Sequence, residues 1–539
     1  MSTAMPGAAA GMPPVVVVGA GPVGLTAALL LATYGVRTVV LEAREHRDAI
    51  GSRSICQQRE ALDIWSAIPL GDGDTVGDRV AREGVTWSRA RTFHRDRELF
   101  SLDLSRAGWS PYPPFVNISQ TRTEQILDEA VAAQPLVEVR WGRPVLSLDQ
   151  DAGGVTVIAR EGSEAVAVRA SYVVITAGGR VDELRTRLGV SFEGESFDDK
   201  FLICDLRTDL GGWAEERRFW FDPEWNPGRQ VLIHPCPDST YRIDWQVPPG
   251  FDLDAEEASG ALERRIRAII GDRPYDVVWQ SVYRFSSRVA SRMRAGRVFL
   301  AGDSAHVYSP FGARGLNSGV ADVHNLAWKL AWVLRGWAPE TLLESYDAER
   351  RAAAHENLDV TAATMRFLVP PDETAAAYRR DVLDRAATDP AARALVDSGR
   401  LSEPFWYDAS PLTTPSPAHP CTGRPPRGEV PAPGPGVLIP DAPLPEGGRL
   451  HELARGHLLA VTSDPDAART TLTSATPGNV RVLPLDSHLA GELGALPGET
   501  WLVRPDAHVA AVVTGAGPAL AAAARRALAQ PPASGQVGG

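Results

Sequence analysis

Cysteine is scarce in this chain of 539 residues: there are four, Cys56, Cys204, Cys236 and Cys421, and no C-x-x-C pair. Such scattering excludes a disulfide framework and a cysteine-based metal site, and a reducing cytoplasm fits it. No apolar run is long enough to span a bilayer. The best candidate, 15–41, is cut by Gly21-Pro22 and by Tyr34-Gly35-Val36-Arg37 into pieces too short to cross. Residues 1–13 lack a basic stretch followed by an apolar core, so they read as a disordered tail, not a signal peptide. Positive charge is not in excess either. The 55 basic residues, almost all arginine, face 67 acidic ones, and the net −12 argues against non-specific nucleic-acid binding. No internal repeat is present. Hydrophobic content of 44% and charged content of 23% are those of a globular protein, and the length implies two or three domains.

What the chain does have begins at Val15. Four β-branched residues read as a buried strand and run into Gly19-Ala20-Gly21-Pro22-Val23-Gly24. Helix formers follow to Ala32, Gly35 stops the helix, and 36–41 is a second buried strand ending on Glu42. Gly19 permits the tight turn, Gly21 admits a pyrophosphate to the backbone, and Gly24 lets helix and strand pack closely. The helix N-terminus offers N–H groups and a positive dipole end to that pyrophosphate. Glu42 can accept hydrogen bonds from ribose hydroxyls, and an acid there favours an unphosphorylated ribose, as in FAD or NAD.

Further along, 59–67 reads as a helix, 85–104 alternates like strands, and 115–120 is a strand entering a helix at 123–133, with Thr121 or Thr123 as N-cap. Three meander strands fill 137–160, and 172–176 is another buried strand. Residues 201–247 are rich in aromatic and β-branched types and read as an antiparallel sheet, followed by one helix at 255–271. Long helices are expected at 317–335 and 342–368. Proline crowds 402–445, a linker or wrapping segment, and strands and a closing helix then form a small α/β domain.

The second strong signal is 297–317, RVFLAGDSAHVYSPFGARGLN. A buried strand ends on Gly302-Asp303, and a loop leads to Gly315-Leu316-Asn317 at the start of a helix. Taken with the glycine unit almost three hundred residues earlier, this resembles the single-component FAD-dependent aromatic hydroxylases, the para-hydroxybenzoate hydroxylase-like class. The likeness is strongest to the polyketide, phenol and 3-hydroxyphenylpropionate hydroxylases that carry a C-terminal thioredoxin-like domain. It covers nearly the whole chain.

The resemblance implies an α/β fold. A discontinuous Rossmann-like FAD-binding domain (14–190 and 285–400) would hold an inserted antiparallel substrate-binding sheet (191–284, with parts of 80–112). A Pro-rich linker (401–436) and a thioredoxin-like domain (437–530) would follow. That last domain contains no cysteine, so it cannot exchange dithiols. FAD would be held by Gly19, Gly21, Gly24, Glu42, Arg44, Arg53, Gln120, Asp303 and the N–H groups of Gly315, Leu316 and Asn317. The helix dipole there can stabilise negative charge on the reduced flavin ring. Pro310 would lie beside the reactive face of the ring.

The activity implied is hydroxylation of a phenolic or polyketide-type ring with NAD(P)H and O2, through a flavin C4a-hydroperoxide. Phe219, Phe221, Trp245 and Tyr283 are candidate pocket residues, His234 a candidate phenol-activating base, and Arg314 a candidate holder of an anionic substrate. No metal is called for, no nucleic acid or membrane partner is expected, and the class implies a homodimer, formed through 342–368. One departure stands out. The family's Asp-Gly after the fourth buried strand is replaced by Gly178-Gly179-Arg180-Val181-Asp182, a position linked to both FAD and NAD(P)H contacts. Baeyer–Villiger oxygenation of a ketone, or a flavin protein or oxidase with impaired NAD(P)H use, remain open alternatives at this point.

Overall fold

The computed structural model describes residues 11–47, 54–104, 110–421, 423 and 431–532. Arg53 and residues 1–10 of the expected tail lie outside that set.

The four valines of Val15–Val18 are at most 5% exposed, because the strand is covered on both faces. It lies in the middle of a parallel sheet. Thr38–Leu41 and Val137–Arg140 extend one edge, and Val173–Ile175 and Val298–Leu300 extend the other. Arg294–Ala295 closes that second edge as an antiparallel hairpin strand. The order has a functional consequence. Val15–Val18, Val173–Ile175 and Val298–Leu300 are immediate neighbours pointing the same way, so the loops that follow them emerge side by side. Open parallel sheets bind ligands at that carboxyl edge.

A second sheet of eight strands is hung on the first. Its two longest strands, Phe192–Arg207 and Asp276–Ala290, pair along most of their length and reach back to the parallel sheet. His306–Val307, just after Gly302-Asp303, pairs with the end of Asp276–Ala290 and stitches the motif loop to the sheet edge. Arg89–His94 and Arg97–Asp103 complete the far side, with Glu216–Phe221, Gln230–Cys236 and Thr240–Val247 between. The single helix expected at 255–271 is two, Leu253–Ala258 and Ala261–Ile270, because Gly260 adopts φ +68° and breaks the run. Leu262, Ile266 and Ile270 of the second pack on one face of this sheet.

Past the expected helix Glu344–Leu368, two helices the sequence did not announce, Glu373–Arg385 and Pro390–Ala394, cover part of the sheet's other face. The proline-crowded stretch wraps the molecule: Tyr407, Leu412 and Thr413 are buried. The C-terminal sheet has the order Val480–Pro484, Leu458–Thr462, Glu499–Val503, Val509–Thr514, with only its first pair parallel. The helix after Phe115–Asn117 spans Gln120–Ala132 and is capped by Ser119, whose hydroxyl accepts the Arg122 N–H at 3.1 Å. The expected caps Thr121 and Thr123 fall inside the helix.

A buried ionic cluster joins the C-terminal unit to the rest. Glu349, on Glu344–Leu368, accepts from Lys329 Nζ at 2.7 Å, from both terminal nitrogens of Arg504 at 2.5 and 3.0 Å, and from Asn325 at 2.7 Å. Arg504 also grips Asp506, and the Ser410 hydroxyl of the wrapping segment reaches Glu349 at 2.5 Å. Lys329 and Asn325 sit on Gly315–Leu334, the helix that the second motif begins.

Candidate active site

The glycine-rich corner is built by close approach. A Cβ on Gly24 would sit 2.0 Å from the Gly19 carbonyl oxygen and 2.6 Å from Thr176 Oγ1. Gly21 is different, since nothing in the chain lies within 4 Å of the Cβ it lacks. Its absent side chain leaves open space at the N-terminus of Pro22–Thr33, where a ligand can approach. Glu42 is buried at the end of its strand and accepts the Ala20 N–H at 2.7 Å, the Arg44 N–H at 3.1 Å and Arg44 Nε at 3.0 Å. Burial would raise its carboxyl pKa, but these donors outweigh burial and lower it, so the group is ionised.

The second corner lies two strands along the same edge, with Val173–Ile175 between. Gly319 packs on Val23 and Gly302, so the long helix crosses directly above the first one. Asp322 braces the Gly302–Ser304 turn: it accepts the Gly302 N–H at 2.9 Å and His306 Nε2 at 2.7 Å, and its other oxygen takes Arg350 Nε at 2.8 Å. Asp303, between those two anchors, is exposed. Helix Gly315–Leu334 starts with no side-chain cap, and nothing lies within 4 Å of a Cβ on Gly315. Buried polar atoms without partners gather nearby, on Gln57, Tyr308 and Ser309. An open cradle at Gly21, an acid for a ribose and an uncapped helix end on one sheet edge fit FAD.

Asn317 turns its side chain away from that cradle. Its Nδ2 donates to the Cys56 and Ala313 carbonyls at 3.0 and 2.6 Å, and its Oδ1 accepts the Gln58 N–H at 3.1 Å. Only its backbone N–H remains for a cofactor. Asn317→Ala strands Gln58 N–H and the Cys56 carbonyl in a buried place, at a cost of about 1–3 kcal/mol. A lowered urea midpoint of the FAD-loaded protein checks this.

The sheet supplies the other wall, and its register sorts the side chains. One face presents three rows. The first is Arg217, His234, Arg242 and Asp205; the second Phe219, Leu232, Asp244, Ile203 and Ser281; the third Phe221, Gln230, Gln246, Phe201 and Tyr283. Arg242 donates to both oxygens of Asp205 at 2.7 and 2.8 Å. Trp87 lies edge-on to His234, and Asn117 links Trp87 Nε1 (3.0 Å) to the Pro235 carbonyl (2.8 Å). Asn117 is the ladder partner of Cys56, which Asn317 clasps. His234 is thus connected to the uncapped helix end through three residues, Trp87, Asn117 and Cys56. Burial, with Arg217 and Arg242 beside it, holds the His234 pKa well below the usual imidazole value, so the ring is neutral.

Several expected residues are placed differently. Trp245 is on the opposite face, fully buried with Leu262 and Ile266 beneath Ala261–Ile270, because alternation along Thr240–Val247 turns it away from Asp244. It does not line the site. Phe219 and Phe221 face the right way but sit inside a packed cluster with Met365, Leu368 and Val382. Phe219 also approaches Phe311, at 6.3 Å between centroids, next to the exposed Pro310. Arg314 is buried and its guanidinium is committed to Asn357 and to the Arg400 and Leu401 carbonyls, so it braces the loop and does not reach out to an anion. Gln120 accepts the Ser54 N–H at 3.2 Å and donates to Glu124 at 2.9 Å. Asp182 is a surface residue whose partner is Arg185, so it does not stand in for the missing acid. Instead the Gly178 carbonyl accepts from Ser304 and the Gly179 carbonyl from Arg185.

Asp244, Trp87, Asn117, Gln57 and Asp322 were not anticipated. Asp244 had a signal: in Tyr241-Arg242-Ile243-Asp244-Trp245-Gln246, the polar residues share one phase of the strand, and an acid sits in the middle.

Residues 12–361 match the model of the family described as FAD binding domain. The 3-(3-hydroxy-phenyl)propionate/3-hydroxycinnamic acid hydroxylase of Mycobacterium sp. (strain KMS) is 32% identical over 414 residues, covering 75% of this chain and 69% of that one. Among solved structures, the flavin-dependent monooxygenase PieE, in complex with FAD and substrate, is similar with a TM-score of 0.82 and 26% identity, over 96% of this chain and 99% of that one. The p-nitrophenol 4-monooxygenase PnpA from Pseudomonas putida DLL-E4 matches at a TM-score of 0.61 and 26% identity, over 71% of this chain and 96% of that one. The hydroxylase reading is thereby favoured over ketone oxygenation and over a flavin protein without turnover. Two motif corners brought to one sheet edge, and a family match across both, place this chain in the FAD-binding domain family as an FAD-dependent aromatic hydroxylase, a flavin-dependent monooxygenase.

Proposed function

We propose that the chain hydroxylates a phenolic ring held between the polar face of the eight-stranded sheet and the loop 306–314. The observation that carries this is the convergence of an uncapped helix end with a buried sheet face bearing a neutral histidine and a carboxylic acid. The relatives' names, hydroxylases of hydroxyphenyl acids and of p-nitrophenol, support a phenol as the substrate class.

When bound, the flavin accepts electrons from NAD(P)H and activates O2 for transfer of one oxygen atom to the ring. The chain's own contribution is position and electrostatics. The backbone at Gly21 and the N-terminus of Pro22–Thr33 hold the pyrophosphate, with Gly19 and Gly24 shaping the turn. Glu42, positioned by Ala20 and Arg44, takes a ribose hydroxyl. Asp303, held between Gly302 and His306, takes the ribityl chain. The N–H groups of Gly315, Leu316 and Asn317 would meet the ring's developing negative charge. Pro310 and Gln120 would hold the ring, with Tyr283 and Phe219 toward the sheet. The aromatic clusters on either side exclude water.

The same reading assigns 14–190 and 285–400 to the FAD-binding unit, 191–284 to the substrate sheet and 437–530 to a thioredoxin-like unit. The order of the last sheet, with a parallel pair followed by two antiparallel strands, supports that final assignment. Among the described residues no helix is long and apolar enough to cross a membrane, and Cys56, Cys204, Cys236 and Cys421 are all free thiols. The free thiols support a cytoplasmic setting.

The test uses purified, FAD-loaded protein in air with NADPH, challenged by a panel of simple and polycyclic phenols. NADPH consumption stimulated by a phenol, with a product one oxygen heavier and bearing a new ring hydroxyl, is the expected result. No stimulation by any phenol, or insertion of oxygen beside a ketone instead, overturns the reading.

A further inference from the structure

We propose that Asp244, not His234, is the group that takes the phenolic proton of the substrate. The proposal rests on the function argued above and names a catalytic residue for that same site.

The argument is one of placement. Two apolar clusters cover the polar face of the sheet. One packs Phe311, Met365 and Leu368 over Phe219, Phe221 and Phe201. The other packs Trp87, Phe115, Cys56 and Ala313 over the end of the sheet where Cys236 lies. The loop 306–314 bridges them, with Phe311 in the first and Ala313 in the second. Asp244 belongs to neither. It stands in the middle row of the face, between Leu232 and Ile203. Its Oδ1 is fully enclosed and has no hydrogen-bond partner, as is true of His234 Nδ1, but His234 is buried whereas Asp244 keeps one side open. A buried carboxylate oxygen without a donor is costly, and a phenolic O–H supplies the missing donor.

The charged and titratable groups around it are Arg242 on its own strand, Asp205 on one neighbouring strand, His234 on the other and Arg217 one strand further. Arg242 gives two hydrogen bonds to Asp205, and none reaches Asp244 Oδ1. Burial raises the Asp244 pKa to about 7, with Arg242 opposing and Asp205 assisting. The carboxyl therefore exchanges protons near neutral pH. The ring of His234, kept neutral by burial and by two arginines, holds a proton less readily than Asp244 does. The step balances simply. The phenol O–H bond breaks, its proton forms an O–H bond on Asp244, and the electron pair stays on the phenolate oxygen, which enriches the ring for oxygen transfer. The proton then leaves to solvent from the part-exposed side of the carboxyl.

The experiment measures binding, not turnover. FAD-loaded wild type, Asp244→Asn and His234→Gln are titrated with a panel of phenols, and with their methyl ethers, by the change in flavin absorbance across pH 5.5 to 8.5, a window centred on the ~7 of the carboxyl. In wild type the affinity for phenols should bend near pH 7 while that for the ethers stays flat. Asp244→Asn should lose the bend and His234→Gln keep it. Thermal unfolding of Asp244→Asn guards against a misfolded variant. An acid whose folded pKa is raised costs stability as pH rises from 4 toward 7. The variant should therefore gain stability over wild type at pH 8 relative to pH 5. A bend that survives in Asp244→Asn, or that disappears in His234→Gln alone, overturns the assignment. Failure of every phenol to perturb the flavin in wild type overturns the phenol reading itself, a distinguishable result.

Discussion

Gly24→Ala should purify with its flavin content cut to a small fraction of the wild-type value. The added methyl would lie 2.0 Å from the Gly19 carbonyl oxygen and 2.6 Å from Thr176 Oγ1. Neither can yield cheaply. The Gly19 backbone is held by its N–H to the Leu41 carbonyl at 2.8 Å, and the Thr176 hydroxyl is bonded to the Val18 and Gly19 carbonyls at 3.0 and 3.2 Å. The helix must back away from the strand, and the N–H groups that face a pyrophosphate move with it. Overpacking of this kind costs about 1–3 kcal/mol, or roughly a ten- to hundredfold loss of cofactor affinity if it falls on the bound form. Gly21→Ala is the informative companion. Its Cβ meets nothing in the chain, so the protein should fold with wild-type apo stability and still lose flavin. The absorbance ratio of flavin to protein, read after gel filtration, checks both. Full retention of flavin in Gly24→Ala, or in Gly21→Ala, is the outcome against the corner as a pyrophosphate site.

The other large effect lies far from the chemistry. Glu349→Gln should destabilise the protein by about 3–5 kcal/mol, the scale for breaking a buried ion cluster by removing one partner. Burial by itself would raise the Glu349 carboxyl pKa, but Arg504 and Lys329 hold it well below the usual range, and both are left facing an amide in the variant. Arg504→Met should cost a similar amount, and the double variant less than the sum, because each substitution removes the same contact. Since Arg504 belongs to the C-terminal unit and Lys329 to Gly315–Leu334, limited proteolysis should cut both variants in the wrapping segment, 401–436, before wild type is cut. Wild-type urea midpoints would sink the idea.

That cluster and the separate buried carboxylate Asp322 together fix the acid limb of stability. Asp322 is pushed up by burial but drawn down further by His306 and Arg350, to about 2 from an ordinary 3.8. Glu349 is lowered too. A carboxyl whose folded pKa is depressed stabilises fully above its unfolded value and loses that contribution as pH falls through the folded one. Stability should therefore hold down to about pH 4.5 and fall steeply from there toward pH 2. In Glu349→Gln that acid limb should be shallower.

The strand–helix–strand unit at 15–41 and the run at 297–317 were legible because each encodes its structure locally. Valine runs, glycines at turns and a glycine just past a helix need no knowledge of the rest of the chain. Alternation in 240–247 likewise fixed which residues share a face. It could not say which face meets the flavin and which meets Ala261–Ile270, and Trp245 was misplaced for that reason. His234 stood out as a histidine, whereas Asp244 differs from any strand acid only through its surroundings, two clusters contributed by residues from 55 to 396.

The sequence by itself therefore determined the coenzyme corners, the class of chemistry and the strand phases, all set by short-range sterics and hydrogen bonding. Tertiary structure alone decided that strands 15–18, 173–175 and 298–300 lie side by side, that Asn317 and Arg314 spend their side chains on the backbone, and that Glu349, Arg504 and Lys329 meet in the dark. Those outcomes depend on contacts between residues tens to hundreds of positions apart, where chain entropy opposes the meeting and only the summed burial of the whole fold overcomes it.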